Sequence, residues 1–309
     1  MKYLHLFDTV AEYNEARSSS YEEPWVSLTE ANDEVKYNKT EREKLPETPL
    51  TFEILSDGMI NWMFMDMGEE TTSNEKTIKY KKNDGEWTNI TSTTGGTQIN
   101  VTSGDTVQFK GDNLAYANMD NGGGWINLFS GTTAEFNVKG NIMSLIDSDD
   151  FETLDTLTCA ATFTGLFGSC TGLTSAENLI LPATTLVVSC YQSMFAGCTN
   201  LTTAPALPAT TLAMACYTGM LAICTSLTTA PALPATTLAD GCYVSMFEGC
   251  TNLNYIKAMF TTTPSTTYTQ NWVDGVSSTG TFVKNSAAQW DVTGTNGIPT
   301  NWTVETASA

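Results

Sequence analysis

The chain has 309 residues, a net charge of −20 and 41% hydrophobic residues, enough length for two or three domains with real cores. No apolar run reaches the roughly 18–20 residues of a membrane span, so no span is expected. Residues 1–155 carry 28 acids against 12 bases and residues 156–309 six against two. With neither half basic, the composition argues against a nucleic-acid partner.

Residues 1–45 read as a small separate unit. The opening MKYLHLFDTVAEYNEAR is broken by His5 and Asp8 and does not read as a signal peptide. Thr9 and Glu12 form a capping-box pair, which predicts a short helix over 9–17. PWVSLTEANDEVKYNK (24–39) alternates on both sides of its AND and predicts a hairpin. So few residues make a poor independent core, and such a segment suits an arm that orders against a partner. Tyr21, Trp25 and Tyr37 are its candidate anchor residues, because aromatic side chains carry most interface energy.

KLPETP (44–49) is a linker, and from 50 to 140 the pattern turns all-β. Short alternating runs are punctuated by Asp57-Gly58, Asp84-Gly85 and Gly104-Asp105, which predicts tight turns and a β-sandwich. GDNLAYANMDNGGGWINLFSG (111–131) is a glycine-rich excursion in which Tyr116 and Trp125 could face a ligand and stack on a sugar ring; a plain hairpin loop is the competing reading. Residues 141–158 bridge to the second half. Their DSDD (147–150) lacks the glycine and closing glutamate of a calcium loop and reads as a solvated turn or cap.

The second half repeats itself. CYQSMFAGCTNLTTAPALPATTLAMA (190–215) is followed by CYTGMLAICTSLTTAPALPATTLADG (216–241), then by CYVSMFEGCTNLNYIKAMF (242–260). Upstream, residues 163–186 hold an older copy with a two-residue insertion. A fixed period of this size is the mark of a solenoid, so residues 141–260 are expected to stack as 26-residue coils. Tyr191, Met194 and Phe195, at i, i+3 and i+4, predict a helical turn in each copy. A bend at Gly197 and an extended side limited by Pro205 and Pro208 follow. All eight cysteines lie between 159 and 250, seven of them in two repeat registers. The first expectation for them is small, buried, reduced residues; disulfides between coils and a metal site are the alternatives, and no histidine accompanies them.

The pattern CYxxMFxGCTxL…LPATTLA resembles the BspA-type leucine-rich repeats of bacterial surface proteins and of phages that infect gut bacteria. The closing WVDGVSSTGTFVKNSAAQWDVTGTNGIPTNWTV (272–304) resembles the usual end of such arrays. One copy departs, with Leu221 and Ile223 where its neighbours have Phe195 and Gly197, so the glycine that supports the bend is missing there. Residues 261–309 are expected to cap the stack through Trp272, Phe282, Trp290 and Trp302, a ligand site among these aromatics being the alternative. YEEPWVSLTEANDEVKYNK (21–39) resembles an N-terminal segment shared by structural proteins of phages of gut bacteria.

These resemblances imply a virion structural protein, a head or tail fibre or a decoration protein of the capsid. It would be docked through its arm to the major capsid protein or another virion protein, form a homo-oligomer such as a trimer, and present a surface to host glycans or proteins. A bacterial cell-surface adhesin is the second reading. Catalysis is not expected. The single histidine, His5, lies in the arm, the cysteines have no basic partner, and neither a GxGxxG nor a P-loop occurs. No cofactor and no metal are implied.

Overall fold

The structure is a computed structural model that describes residues 27–31, 34–38, 47–68, 74–118 and 124–307. It is mainly β, with 31% strand and 4% helix in several sheets. The chain divides into two compact units, Met1–Lys44 and Leu45–Ala309. In the first, β1 (Ser27–Ala31) pairs antiparallel with β2 (Glu34–Asn38), Ala31 opposite Glu34. The helix expected over 9–17, and the anchor candidates Tyr21 and Trp25, lie outside the described residues; Tyr37 is on β2.

Among the described residues the second unit opens with nine strands: β3 (Leu50–Ile54), β4 (Gly58–Asp66), β5 (Thr77–Lys82), β6 (Thr88–Thr91), β7 (Thr97–Val101), β8 (Thr106–Lys110), β9 (Ala117–Asn118), β10 (Trp125–Leu128) and β11 (Phe136–Asn141). They form a four-stranded sheet, β7-β4-β10-β9, and a larger sheet ordered β12-β11-β3-β8-β5-β6, in which β12 (Leu173–Ile180) comes from the repeats. Alternation places Leu50, Phe52 and Ile54 of β3, and Val107 and Phe109 of β8, inward. The Phe52 ring lies 4.6–4.9 Å from those of Phe109, Phe129 and Phe136. Two of the expected turns close by backbone bonds, Gly85 N–H to Lys82 O and Asp105 N–H to Thr102 O.

All pairings in these sheets are antiparallel except one: β11 runs parallel to β12, Phe136 opposite Leu173 and Asn141 opposite Ile180. The first repeat is therefore bonded into the six-stranded sheet, and a single hydrophobic cluster runs from Leu50 to Trp302. At the far end β13 (Tyr255–Ala258), β14 (Thr281–Asn285) and β15 (Thr303–Ala307) form a parallel sheet, with a one-turn helix α1 (Thr266–Thr269) between β13 and β14. No helix among the described residues is long and apolar enough to cross a membrane.

Candidate functional site

The helical turn expected in each repeat does not form. Residues 188–197, 214–223 and 240–249 are each a run of turns with a residue in the left-handed region at every fourth position. Ser189, Ser193 and Gly197 have φ of 54°, 52° and 76°, and Ala215, Gly219 and Ile223 have 55°, 58° and 61°. Gly241, Ser245 and Gly249 repeat the rhythm, as do Ala161, Gly165 and Ser169 upstream and Asn271 and Gly275 downstream. The physical reason is where the N–H groups go. An α-helix spends each N–H on its own carbonyl four residues back. Here alternate N–H groups close turns within the repeat, as from Met194 to Tyr191 O, and the others cross to the next repeat. Five such crossings join each successive pair: Ser189, Tyr191, Ser193, Phe195 and Gly197 donate to Met214, Cys216, Thr218, Met220 and Ala222 at 2.8–3.0 Å. The same five registers are filled at the other three junctions, from Ala161–Val188 through Gly249–Asp274.

This four-residue period also sets burial. Cys190 and Tyr191 are buried, Gln192 and Ser193 partly exposed, Met194 and Phe195 buried, Ala196 and Gly197 partly exposed. The inward side chains stack in columns. One runs Tyr116, Phe163, Tyr191, Tyr217, Tyr243 with ring centroids 5.9–6.2 Å apart and planes within 12° of parallel. A second runs Phe129, Phe167, Phe195 at 5.8 and 5.3 Å. The thiols of Cys170, Cys198, Cys224 and Cys250 each donate to a carbonyl one layer back, those of Phe129, Phe167, Phe195 and Leu221, at 3.0–3.2 Å. Burial pushes the thiols of Cys190, Cys198, Cys242 and Cys250 up to about 12. They stay protonated at neutral pH and act as weak donors rather than nucleophiles. Cys159, half-buried, lies outside both columns.

Tyr116 is a correction. It is fully buried, not presented by a loop: its O–H donates to Leu145 O at 2.6 Å, and its ring begins the aromatic column. Burial raises its pKa far above the usual phenol value. Its N–H donates to Thr162 O, and the Phe129 N–H to Leu166 O, so residues 116 and 129 supply the first layer on which the repeats build. Trp125, on β10, is partly exposed, with the Lys76 ammonium 4.7 Å from its ring centroid. The two side chains proposed to share a ligand are thus turned to different environments. Asp147 closes the turn of the DSDD stretch by accepting the N–H groups of Asp149 and Asp150.

The tryptophans of the closing segment face inward. Trp272, Trp290 and Trp302 are 0%, 4% and 6% exposed. Their indole N–H groups donate to Gly297, Phe260 and Ser277 carbonyls at 2.9, 3.3 and 2.8 Å, leaving no polar tip for a ligand. The segment also continues the winding: Phe247 donates to Trp272 O, and β13, β14 and β15 put Tyr255, Thr281 and Thr303 in one register. An open depression of about 220 Å³ near Asp274, Ser277, Thr295 and Pro299 lies at this end.

What the repeats offer to solvent is the extended side. There Thr202, Thr203, Thr210 and Thr211 are exposed, as are their equivalents Thr228, Thr229, Thr236 and Thr237. Over these two segments the surface is uncharged, rich in hydroxyls and backed by a stacked core. The first layer formed by Tyr116 and Phe129 was not recognisable in the sequence, since those residues are far from any repeat. The four-residue rhythm left one signal, a small residue at 189, 193 and 197 and at 241, 245 and 249. The chain matches no protein-family model, no curated protein and no solved structure.

Proposed function

We propose that the chain is a virion structural protein of a phage: a head or tail fibre, or a decoration protein of the capsid. It is attached through residues 1–45 and displays a leucine-rich-repeat solenoid of 26-residue coils joined to a β-sandwich over 50–140. The single observation that carries the display reading is the set of five backbone bonds repeated at each of four junctions, from Ala161 to Asp274. Such register-for-register bonding stacks the repeats and so carries an extended surface without requiring a reactive centre. The threonines on that surface, and the protonated thiols of the turn side, support recognition over chemistry. The virion location rests on the resemblance of residues 21–39. In this reading Tyr21, Trp25 and Tyr37 seat the arm on the major capsid protein or another virion protein, the protein is a homo-oligomer, and the repeats meet a host glycan or protein.

The test is a deletion of residues 1–45 in a particle-assembly system. Residues Leu45–Ala309 form their own compact unit, so the truncated chain should fold and melt normally. It should be missing from purified particles that contain the full chain. Incorporation at the full-length level refutes the anchor. A full chain that never co-sediments with particles, yet decorates bacterial cells when supplied from outside, moves the reading to a cell-surface adhesin.

A further inference from the structure

Successive repeats do not adhere equally on their two sides. The turn side carries five backbone bonds at every junction, and the extended side does not. Between 173–186 and 202–211, Thr202 N–H donates to Thr174 O, Ala176 N–H to Thr203 O, Thr210 N–H to Thr184 O and Leu186 N–H to Thr211 O, at 2.9–3.0 Å. Between 228–236 and 254–261 there are five, among them Ala230 N–H to Tyr255 O and Met259 N–H to Leu233 O at 2.9 Å. Between the two identical segments, 201–213 and 227–239, no backbone hydrogen bond forms among the described residues.

One sequence difference marks this junction. Pro205 faces Pro231 one period away, so neither side can donate at that position, and the fixed proline φ keeps both segments out of regular strand. At the flanking junctions the first proline of the segment stands against a strand, β12 or β13, rather than against a second proline. The second proline does not decide the difference, because Pro182 faces Pro208 upstream and Thr184, Leu186, Thr210 and Thr211 still bond beside them. What holds the middle junction on this side is the bonding at its edge, where Ser226 N–H and the Thr225 hydroxyl donate to Thr199 O at 3.1 and 3.2 Å, and apolar contact within the core, from Leu201, Leu207 and Ala209 in one segment and Leu227, Leu233 and Ala235 in the other.

We infer that this junction is a built-in opening line: the extended sides of the two middle repeats part while the turn side stays bonded and acts as the hinge. Such a local opening needs no global unfolding, because it breaks few bonds of its own. It gives the threonine surface a place to change curvature when it meets a partner. The proposal stands on the repeat geometry and does not depend on the partner's identity or on a virion location.

Thiol trapping tests it in the full chain. Ala209→Cys and Ala235→Cys place a thiol at the core side of the line, at positions 1% and 0% exposed. Ala183→Cys places one at the equivalent, hydrogen-bonded junction upstream, at 1% exposure. The native Cys198 and Cys224 on the turn side of the same repeats are internal controls. With iodoacetamide under native conditions, the thiols introduced at 209 and 235 should be alkylated about tenfold or more faster than Cys198, Cys224 and the thiol introduced at 183. The rate should be insensitive to low denaturant. A Pro205→Thr/Pro208→Val variant of the Ala235→Cys chain restores donors on one side and should slow the labelling. Labelling of all sites at one common rate would mean that only global unfolding exposes them, and would overturn the opening line. An unchanged rate in the Pro205→Thr/Pro208→Val variant would overturn the role given to the facing prolines.

Discussion

Ile223 shows how far the turn side overrides residue preference. Left-handed backbone suits glycine, and a β-branched side chain there crowds the following carbonyl. Yet Ile223 holds φ of 61° where Gly197 and Gly249 hold 76° and 74°, and its side chain is 54% exposed, so it gains little burial in return. Its N–H still crosses to Glu248 O at 2.7 Å, in line with its counterparts. The bend therefore forms without glycine because the junction's bonds dictate it, and the strain is stored in the folded state. Ile223→Gly should raise stability by about 0.5–1 kcal/mol, the relief of about 1–2 kcal/mol being reduced by glycine's larger unfolded-state entropy. Ile223→Asn, which also tolerates this region, should move the same way. Chemical denaturation at equal m-value measures both, and a midpoint at or below that of the parent would contradict the strain argument.

At the scale of elements, the β-region is tied at its hairpins by one carboxylate. Asp105 takes the Lys82 ammonium at 2.8 Å, the Asn83 amide at 2.8 Å and the Thr102 N–H at 2.8 Å, linking the β5–β6 turn to the β7–β8 turn. The Lys82 contact first, then the Asn83 and Thr102 bonds, hold its pKa well below the ordinary carboxylate range. A depressed folded pKa means stability that is fully present above the unfolded value and is lost as pH falls below it. Asp105→Asn should cost about 1.5–3 kcal/mol at neutral pH, the range for hydrogen bonds to a charged group. The gap between parent and variant should narrow as pH drops from 4 toward 2. A gap independent of pH in urea titrations would mean that the carboxylate's charge is not what ties the turns. The sequence marked these turns by Asp84-Gly85 and Gly104-Asp105, because turn chemistry is local. It did not mark that one aspartate serves both, because Asn83 and Asp105 are 22 residues apart and meet only once β5 and β8 pair.

Across the whole molecule, the part that could be read in advance was the period, and the part that could not was where the period begins and how a repeat is wound. Identity at 26 residues is visible because each repeat packs against its own likeness, so an aromatic ring recurs at Tyr191, Tyr217 and Tyr243, where the rings stack. Apolar spacing at i, i+3 and i+4 fits a four-residue turn rhythm as well as a helix, and only the destination of the N–H groups separates them. The starting layer is assembled from Tyr116, Phe129 and β11, residues with no likeness to a repeat, so no self-comparison finds it. If likeness across junctions is the organising interaction, the molecule should accept whole repeats and reject fractions. A second copy of residues 190–215 inserted after Ala215 recreates the five crossings and both ring columns at the new junction. A copy of residues 201–213 alone, inserted after Ala213, puts turn side against extended side. The first variant should unfold in one transition with Tm no lower than the parent's and an m-value raised in proportion to the added buried surface. The second should lose its cooperative transition. Equal damage from both would show that the β-region and the closing segment fix the number of repeats between them, and that junctions are not interchangeable units.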